Sequence, residues 1–371
     1  MVEVVITGIG CWTGLGNLTQ TWQSVLSGNS SITLQKPFPE LPPYPLSLLK
    51  KEPTSLKTIT EKVVKDALAD AKLSPPLPNC GVAVGSSRGC QGEWEKWAQN
   101  RETPLNWLNA LPHQSAVTTA QIVETRGTVL SPMAACSTGI WTIAQGLNLI
   151  QSGEYEQVIA GAVESPITPL ILTGFAKMGA LAKTGCYPFD EHREGLVLGE
   201  GGAIFILESL ASARKRNALI YGEIIGYGVN CDAYHVSAPN PDYHCATKLI
   251  QSCLEKGNVS PHEINYIHAH GTSTQLNDQR EAALIESLFP SQVPVSSTKG
   301  ATGHTLGASS AIGVALTLKS LQTQILPPCV GLTNSEFPLN FVRESISSNI
   351  NYALVLSFGF GGQNGGILLK K

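Results

Sequence analysis

Short apolar runs that end in glycine or serine recur along this chain, and between several of them apolar positions repeat every three or four residues. The first pattern predicts buried strands at 2–7, 81–84, 158–160, 203–207, 219–225, 264–267, 293–297 and 353–357, because these runs are too short for helices and rich in β-branched residues. The second predicts helices at 56–73, 137–151, 245–255 and 308–321. Strands alternating with helices make an α/β protein around largely buried sheets. Two stretches, 34–53 and 88–113, carry Pro, Trp and polar residues without steady periodicity and are expected as surface excursions or lids. Segment 209–217, with Arg214-Lys215-Arg216, ends a helix just before a new strand. It is expected as the junction between two half-domains, 1–217 and 218–371.

Composition narrows the class. At 371 residues, with 42% hydrophobic and 14% charged positions, the chain can bury a large core and lies far from the composition of disorder. Its formal charge of −3 comes without a long basic run, which argues against nucleic acid as a partner. The nine cysteines form no CxxC and no closely spaced framework, as expected of a reducing compartment. The MVEVVITGIG opening lacks the features of a secretory signal, and no apolar stretch reaches the roughly 18 residues of a membrane span. A cytoplasmic protein is the expectation.

Three residues then invite a chemical reading. Cys136 sits between the small-residue approach Pro132-Met-Ala-Ala and an apolar-periodic helix. At a helix N-terminus, free N–H groups and the helix dipole favour a thiolate, so a lowered pKa and a nucleophile are expected; a buried structural thiol is the competing reading. His270 closes the run Ile264 to His270, and His304 lies in the glycine-rich turn of Ser296 to Ser310. Both fall at strand ends, where α/β folds gather their active sites, although a lone turn histidine is more often structural. Together with Cys136 they form a candidate Cys/His/His set. His268 and His270 alternate along one strand, which permits a metal reading with Cys136 or His304, but no acidic cluster or paired cysteine completes it. Of the glycine-rich passages, Gly8 to Gly14 misses the dinucleotide spacing and none ends as a phosphate loop. The passage Gly359 to Gly366 suits a tight turn whose N–H groups approach a substrate, as an oxyanion hole requires.

Jointly these passages resemble the β-ketoacyl-acyl carrier protein (ACP) synthases, the type II elongating condensing enzymes of the thiolase superfamily. The resemblance runs from Val4 to the C-terminus through VVITGIG, AACSTG around Cys136, PFDEHREGLVLGEGGAIFILE (188–208), CDAYHVSAPNPD (231–242), HAHGTSTQLNDQRE (268–281), SSTKGATGHTLGAS (296–309), ILPP (325–328) and SFGFGGQNGG (357–366). It implies a thiolase-like fold of two pseudo-duplicated halves in five αβαβα layers, the first carrying the nucleophile and the second both histidines. It implies that Cys136 takes an acyl group from acyl-ACP, with its own N–H and that of Phe360 as the oxyanion hole. His270 and His304 would bind the thioester carbonyl of malonyl-ACP and drive its decarboxylation, with no metal or redox cofactor. Lys299 and Glu281 would form a charge pair behind the histidines, Thr272 and Thr274 would bond the phosphopantetheine arm, and Phe360 would gate the acyl pocket. Asp232, His235 and Asp278 match motif positions read as structural. A homodimer is implied too.

The departures bear on substrate. The chain is shorter than the usual member, mainly before Leu56 and before His113, where relatives build the acyl pocket wall and dimer edge. Gln363 stands where Thr is usual and His268 where Asn or Glu is. A ketosynthase of a specialised polyketide, polyene or glycolipid pathway is the first rival. A non-elongating partner subunit is the second, against which the intact Cys136, His270 and His304 speak; a thiolase would need a second cysteine near the C-terminus, and none follows Cys329.

Overall fold

The computed structural model describes residues 2–101 and 106–371. Ten strands form most of a 12-stranded mixed sheet: β1 (Val4–Thr13), β2 (Gly81–Gly85), β3 (Val129–Leu130), β4 (Gln157–Glu164), β5 (Gly201–Ser209), β6 (Gly222–Cys231), β7 (Tyr266–His268), β8 (Pro294–Ser296), β9 (Tyr352–Gly359) and β10 (Gln363–Lys370). The helices that frame them are α1 (Leu56–Asp70), α2 (Gln91–Asn100), α3 (Gln114–Val123), α4 (Thr138–Gln151), α5 (Pro169–Lys177), α6 (His244–Gly257), α7 (Gln275–Leu288) and α8 (Ser309–Thr323).

The sheet has two arms with one pattern. From the centre outward, one arm runs β1, β5, β4, β2, β3 and the other β6, β10, β9, β7, β8. In each, the first two pairings are antiparallel and the outer two parallel. The arms meet through a short antiparallel contact of β1 with β6, Val5 opposite Glu223 and Ile6 opposite Gly222.

Burial explains the layering. Ten of the fourteen residues of α4 are buried, as are twelve of the fifteen of α8, which is what helices packed on all sides require. Both helices touch strands of both arms and each other, so they form the middle layer, where Ile140, Ile143, Leu147, Ile312, Leu316 and Leu318 share one core. By contrast α1 buries a single stripe, Leu56, Ile59, Val63, Val64, Ala67 and Leu68, and covers the outside of the first arm, while α6 covers the second. Five layers result, αβαβα. No described helix is long and apolar enough to cross a membrane.

Helices 56–73 and 137–151 and most strand runs appear close to their expected limits, but β1 runs on to Thr13 and β6 to Cys231, each six residues past the expected end. The 88–113 stretch does not stay irregular, since it contains α2 and a short turn of helix at Trp107–Ala110; part of it, 102–105, lies outside the described residues. No residue of α2 is buried, so the stripe that periodicity detects is missing. The 34–53 stretch is largely irregular, with one short strand, Tyr44–Ser47, inside it. The glycine-rich passage is a turn only through Gly362, and Gln363 begins β10.

Candidate active site

Cys136 is the middle residue of a single helical turn, Ala135–Ser137, that leads straight into α4. The turn is entered with Ala135 at φ +45°, a conformation costly for a residue with a side chain. Ser357 and Ser137 fix this turn to the opposite arm: the Ser357 hydroxyl donates to the Cys136 carbonyl at 3.2 Å, and that of Ser137 to the carbonyls of Ser357 and Gln363 at 3.0 and 2.7 Å. At the end of β9 the chain passes so close that a Cβ on Gly359 would stand 3.0 Å from the Cys136 nitrogen. The next residue, Phe360, turns its N–H onto the Cys136 sulfur, and Gly361 and Gly362 complete the turn at φ +75° and +72°.

The histidines arrive from the second arm. His270 lies two residues beyond β7, its backbone N–H donating to Glu281 at 2.6 Å and that of Gly271 to the same carboxylate at 2.7 Å. His304 lies between β8 and α8, bound to the Val197–Gly199 segment through its own N–H and carbonyl. The imidazole rings stand 5.4 Å apart at 86°. Nitrogens of both and the Cys136 sulfur lie within 4.8 Å of one another, and all three residues are buried. They open into one cavity of about 320 Å3, together with Thr272, Thr274, Phe358 and Phe360. The Thr272 and Thr274 hydroxyls are 2.9 Å apart.

Electrostatics here follow burial. The helix N-terminus was expected to lower the Cys136 pKa, and the structure overturns this. Burial pushes the thiol up to about 11, against the Phe360 N–H and the charges of Lys299 and Arg88 that pull it down. Desolvation and then Lys299 hold His270 and His304 well below the ordinary histidine value, so both imidazoles are neutral N–H donors. Lys299 and Glu281 do not form the expected direct ion pair: the lysine donates to the His270 carbonyl while Glu281 takes the N–H groups on either side of it. Both therefore clamp the backbone of His270. Burial raises the Glu281 carboxyl to about 7 and lowers Lys299.

His268 does not join His270 on one face, because β7 ends at His268 and the alternation stops there. Its Nε2 bonds Thr298 Oγ1 at 3.0 Å instead. Asp278 holds the N–H groups of Phe189 and Ser273, Asp232 takes those of Asn240 and the Asn364 amide, and His235 takes those of Ser237 and Ala238. Sequence reasoning missed Glu164, fully buried at the end of β4. It accepts hydrogen bonds from Ser86, Ser87, Arg88 and, at 3.0 Å, the Gly307 N–H three residues past His304. A carboxylate ending an otherwise apolar run was its one available signal.

Comparison with known proteins accords with this geometry. The Beta-ketoacyl synthase N-terminal domain profile matches residues 55–213 and its C-terminal counterpart 221–333. A putative mitochondrial 3-oxoacyl-[acyl-carrier-protein] synthase of Schizosaccharomyces pombe is 33% identical over all of this chain and 99% of its own length. The 3-oxoacyl-[acyl-carrier-protein] synthase 2 of Staphylococcus aureus is 31% identical over all of this chain and 98% of its own. Among solved structures, a type II PKS ketosynthase in complex with its acyl-carrier protein and bound to a hexaketide aligns over all of this chain and 99% of its own, with a TM-score of 0.92 and 26% identity. A Burkholderia phymatum beta-ketoacyl synthase aligns over the full length of both chains, with a TM-score of 0.89 and 26% identity. The chain belongs to the β-ketoacyl synthase family, condensing acyltransferases of thiolase-like fold.

Proposed function

We propose that this chain is a 3-oxoacyl-ACP synthase in which Cys136 accepts the acyl chain and His270 and His304 drive condensation with malonyl-ACP. The observation that carries the reading is the convergence of one sulfur, two neutral imidazoles and the Phe360 N–H in a single buried cavity. In the first step the Cys136 sulfur attacks the acyl thioester carbonyl, and the bond to the pantetheine sulfur breaks. The thiol proton leaves with the pantetheine thiol, and the Phe360 and Cys136 N–H groups face the developing oxyanion. In the second, malonyl-ACP places its thioester carbonyl against His270 and His304. Its carboxylate leaves as CO2, and the electron pair of the broken C–C bond becomes an enolate that both N–H donors stabilise. The enolate carbon attacks the acyl-Cys136 carbonyl, the C–S bond breaks with its electron pair on the Cys136 sulfur, which regains a proton from water, and a 3-oxoacyl-ACP longer by two carbons is released. These steps need no metal or redox cofactor.

The same reading gives Thr272 and Thr274 the phosphopantetheine arm and Phe360, whose ring lies 6.0 Å from that of Phe175, the gate. It places the boundary between halves near 217, between β5 and β6. A homodimer formed through the edge of the first arm accords with the exposed Val129 in the outermost strand β3 and the exposed Met133 just beyond it. The solved polyketide ketosynthase supports a second reading, in which the acyl chain belongs to a specialised pathway. Intact-mass spectrometry of the protein with a panel of acyl-ACPs, followed by malonyl-ACP, tests both. An adduct on Cys136 that discharges as a two-carbon-longer product establishes the synthase, and the chains that react separate the pathways. An adduct that malonyl-ACP cannot discharge would overturn the elongating role.

A further inference from the structure

One buried titratable side chain beside the site takes no part in the proposed steps. His268 is 3% exposed and ends β7, two residues before His270. Its ring also touches the two other segments that shape the condensation site. The Nε2 bonds Thr298 Oγ1 at 3.0 Å, and Thr298 opens the one-turn helix Lys299–Thr302, its carbonyl accepting the N–H groups of Ala301 and Thr302 at 3.0 and 3.1 Å. On its other side the ring lies on the backbone of α8 at Gly313, where a Cβ would stand 2.8 Å from its Cε1 and 3.0 Å from its Nδ1. That helix begins five residues past His304. One imidazole therefore contacts the strand that leads to His270, the turn that carries Lys299 and the helix that follows His304.

Packing alone does not account for a histidine here. Its Nδ1 has no hydrogen-bond partner among the described residues, a cost that an apolar side chain of similar size avoids. What the imidazole adds is the bond to Thr298, and that bond closes a ring of contacts: His268 holds Thr298, the next residue Lys299 donates to the His270 carbonyl, and His270 returns along the chain to His268. Without it, Lys299 and His270 are free to shift against each other and against His304. Cys136 is fixed by a separate set of bonds, through Ser137 and Ser357. Two donors that must converge on one developing oxyanion are sensitive to such a shift, whereas loading of the thiol is not.

We propose that His268 is a positioning residue for condensation: bonded to Thr298 and seated on Gly313, it sets His270 and His304 to converge on one thioester oxygen. This rests on the assignment of His270 and His304 to the condensation step. The test follows two rates in the full-length protein. Cys136 is loaded from butyryl-ACP and read by intact mass, and discharge of that adduct is then timed against malonyl-ACP concentration. His268→Leu removes the bond to Thr298. It should load Cys136 at the wild-type rate and keep the wild-type half-saturation by malonyl-ACP, while the maximal discharge rate falls about ten- to a hundredfold. Thr298→Val, which removes the other partner, should match it, and the double variant should be no slower than either single one. His268→Gln, whose amide can still bond Thr298, should recover most of the rate. Wild-type discharge by His268→Leu, additive losses in the double variant, or a His268→Gln protein as slow as His268→Leu overturns the proposal. So does a parallel fall of loading and discharge, because a general loosening of the fold moves both. If His268→Leu does not fold, Thr298→Val decides by the same two rates. A wild-type protein that loads no butyryl group, or cannot discharge it, removes the condensing assignment itself; one that does both beside an unaffected His268→Leu removes only the positioning role.

Discussion

The two arms of the sheet each carry the same device, and only one of them holds the proposed nucleophile. In the first arm the turn Ala135–Ser137 precedes the central helix α4, and in the second the turn Leu306–Ala308 precedes the central helix α8. Both turns open on a residue with positive φ, Ala135 at +45° and Leu306 at +41°. Cys136 and Gly307 thus occupy matching places. Each also meets the end of a strand from the opposite arm: Cys136 meets Phe360, just after β9, and Gly307 meets Glu164, the last residue of β4. At the first turn the strand end presents an N–H donor to a sulfur. At the second it presents a carboxylate to a backbone N–H. The two arms therefore repeat one turn geometry; on the proposed reading the donor at the first strand end serves a nucleophile, while the acceptor at the second anchors the turn three residues past His304.

The comparison is sharpest under one substitution at both places. Cys136→Ala should remove the covalent acyl adduct altogether, as intact mass would show, while the cooperative unfolding transition persists. His304→Ala, beside the second turn, should still acylate yet condense about 10²–10³-fold more slowly, the usual effect of removing one oxyanion donor, measured as product formed from malonyl-ACP. Gly307→Ala should do the reverse of Cys136→Ala. A Cβ there stands 2.5 Å from the Glu164 carboxylate and 2.8 Å from the Ser87 nitrogen, so it should lower stability by about 2 kcal/mol in denaturant titration while Cys136 still acylates. Equal stability of Gly307→Ala and wild type would remove the anchoring role.

What the sequence revealed and what it hid follow the same division. Cys136, His270 and His304 were legible because the chain places each at an apolar-run end among small residues, and the strands of both arms because buried runs are continuous. The Cys136 pKa was not. A helix N-terminus is a local feature, whereas the burial that overrides it is set by the fold, in which Ser357 and Gly359, more than two hundred positions away, lie against the Cys136 turn. Glu164 was hidden for the same reason, since its partners at 86–88 and 307 come from distant loops. Lys299 and Glu281 were recognised as a couple, but that they act through the His270 backbone is a matter of side-chain reach that spacing does not encode. α2 escaped because it buries nothing.

Acid should separate the arms next. His268 lies in the second arm, 3% exposed, with its Nδ1 lacking a partner among the described residues. Burial, then the charge of Lys299, depresses it to about 3. The unfolded chain takes up a proton below about pH 6.5 that the folded protein refuses, so stability falls as pH drops from there toward 3. At pH 5 the loss attributable to this one residue is roughly 2 kcal/mol. His268→Gln should flatten the unfolding free energy between pH 6.5 and 5 by that amount relative to wild type. Parallel curves for the two proteins would show that His268 titrates normally in the folded state.

The smallest effect distinguishes the turns at their first residue. Ala135 and Leu306 share a left-handed backbone that costs an L-residue about 1–2 kcal/mol, and glycine removes that cost while adding about 0.5–1 kcal/mol of chain entropy. For Ala135, whose side chain is a single methyl, the balance favours Ala135→Gly by about 0.5 kcal/mol. For Leu306, 3% exposed in the cluster that walls the catalytic cavity, the lost packing outweighs the relief, and Leu306→Gly should be less stable by about 2 kcal/mol or more. Opposite signs in paired thermal melts would mean that the shared backbone shape belongs to the duplicated scaffold, with each arm's side chains deciding what it costs. Equal signs would mean that the turns differ in more than the groups that face them.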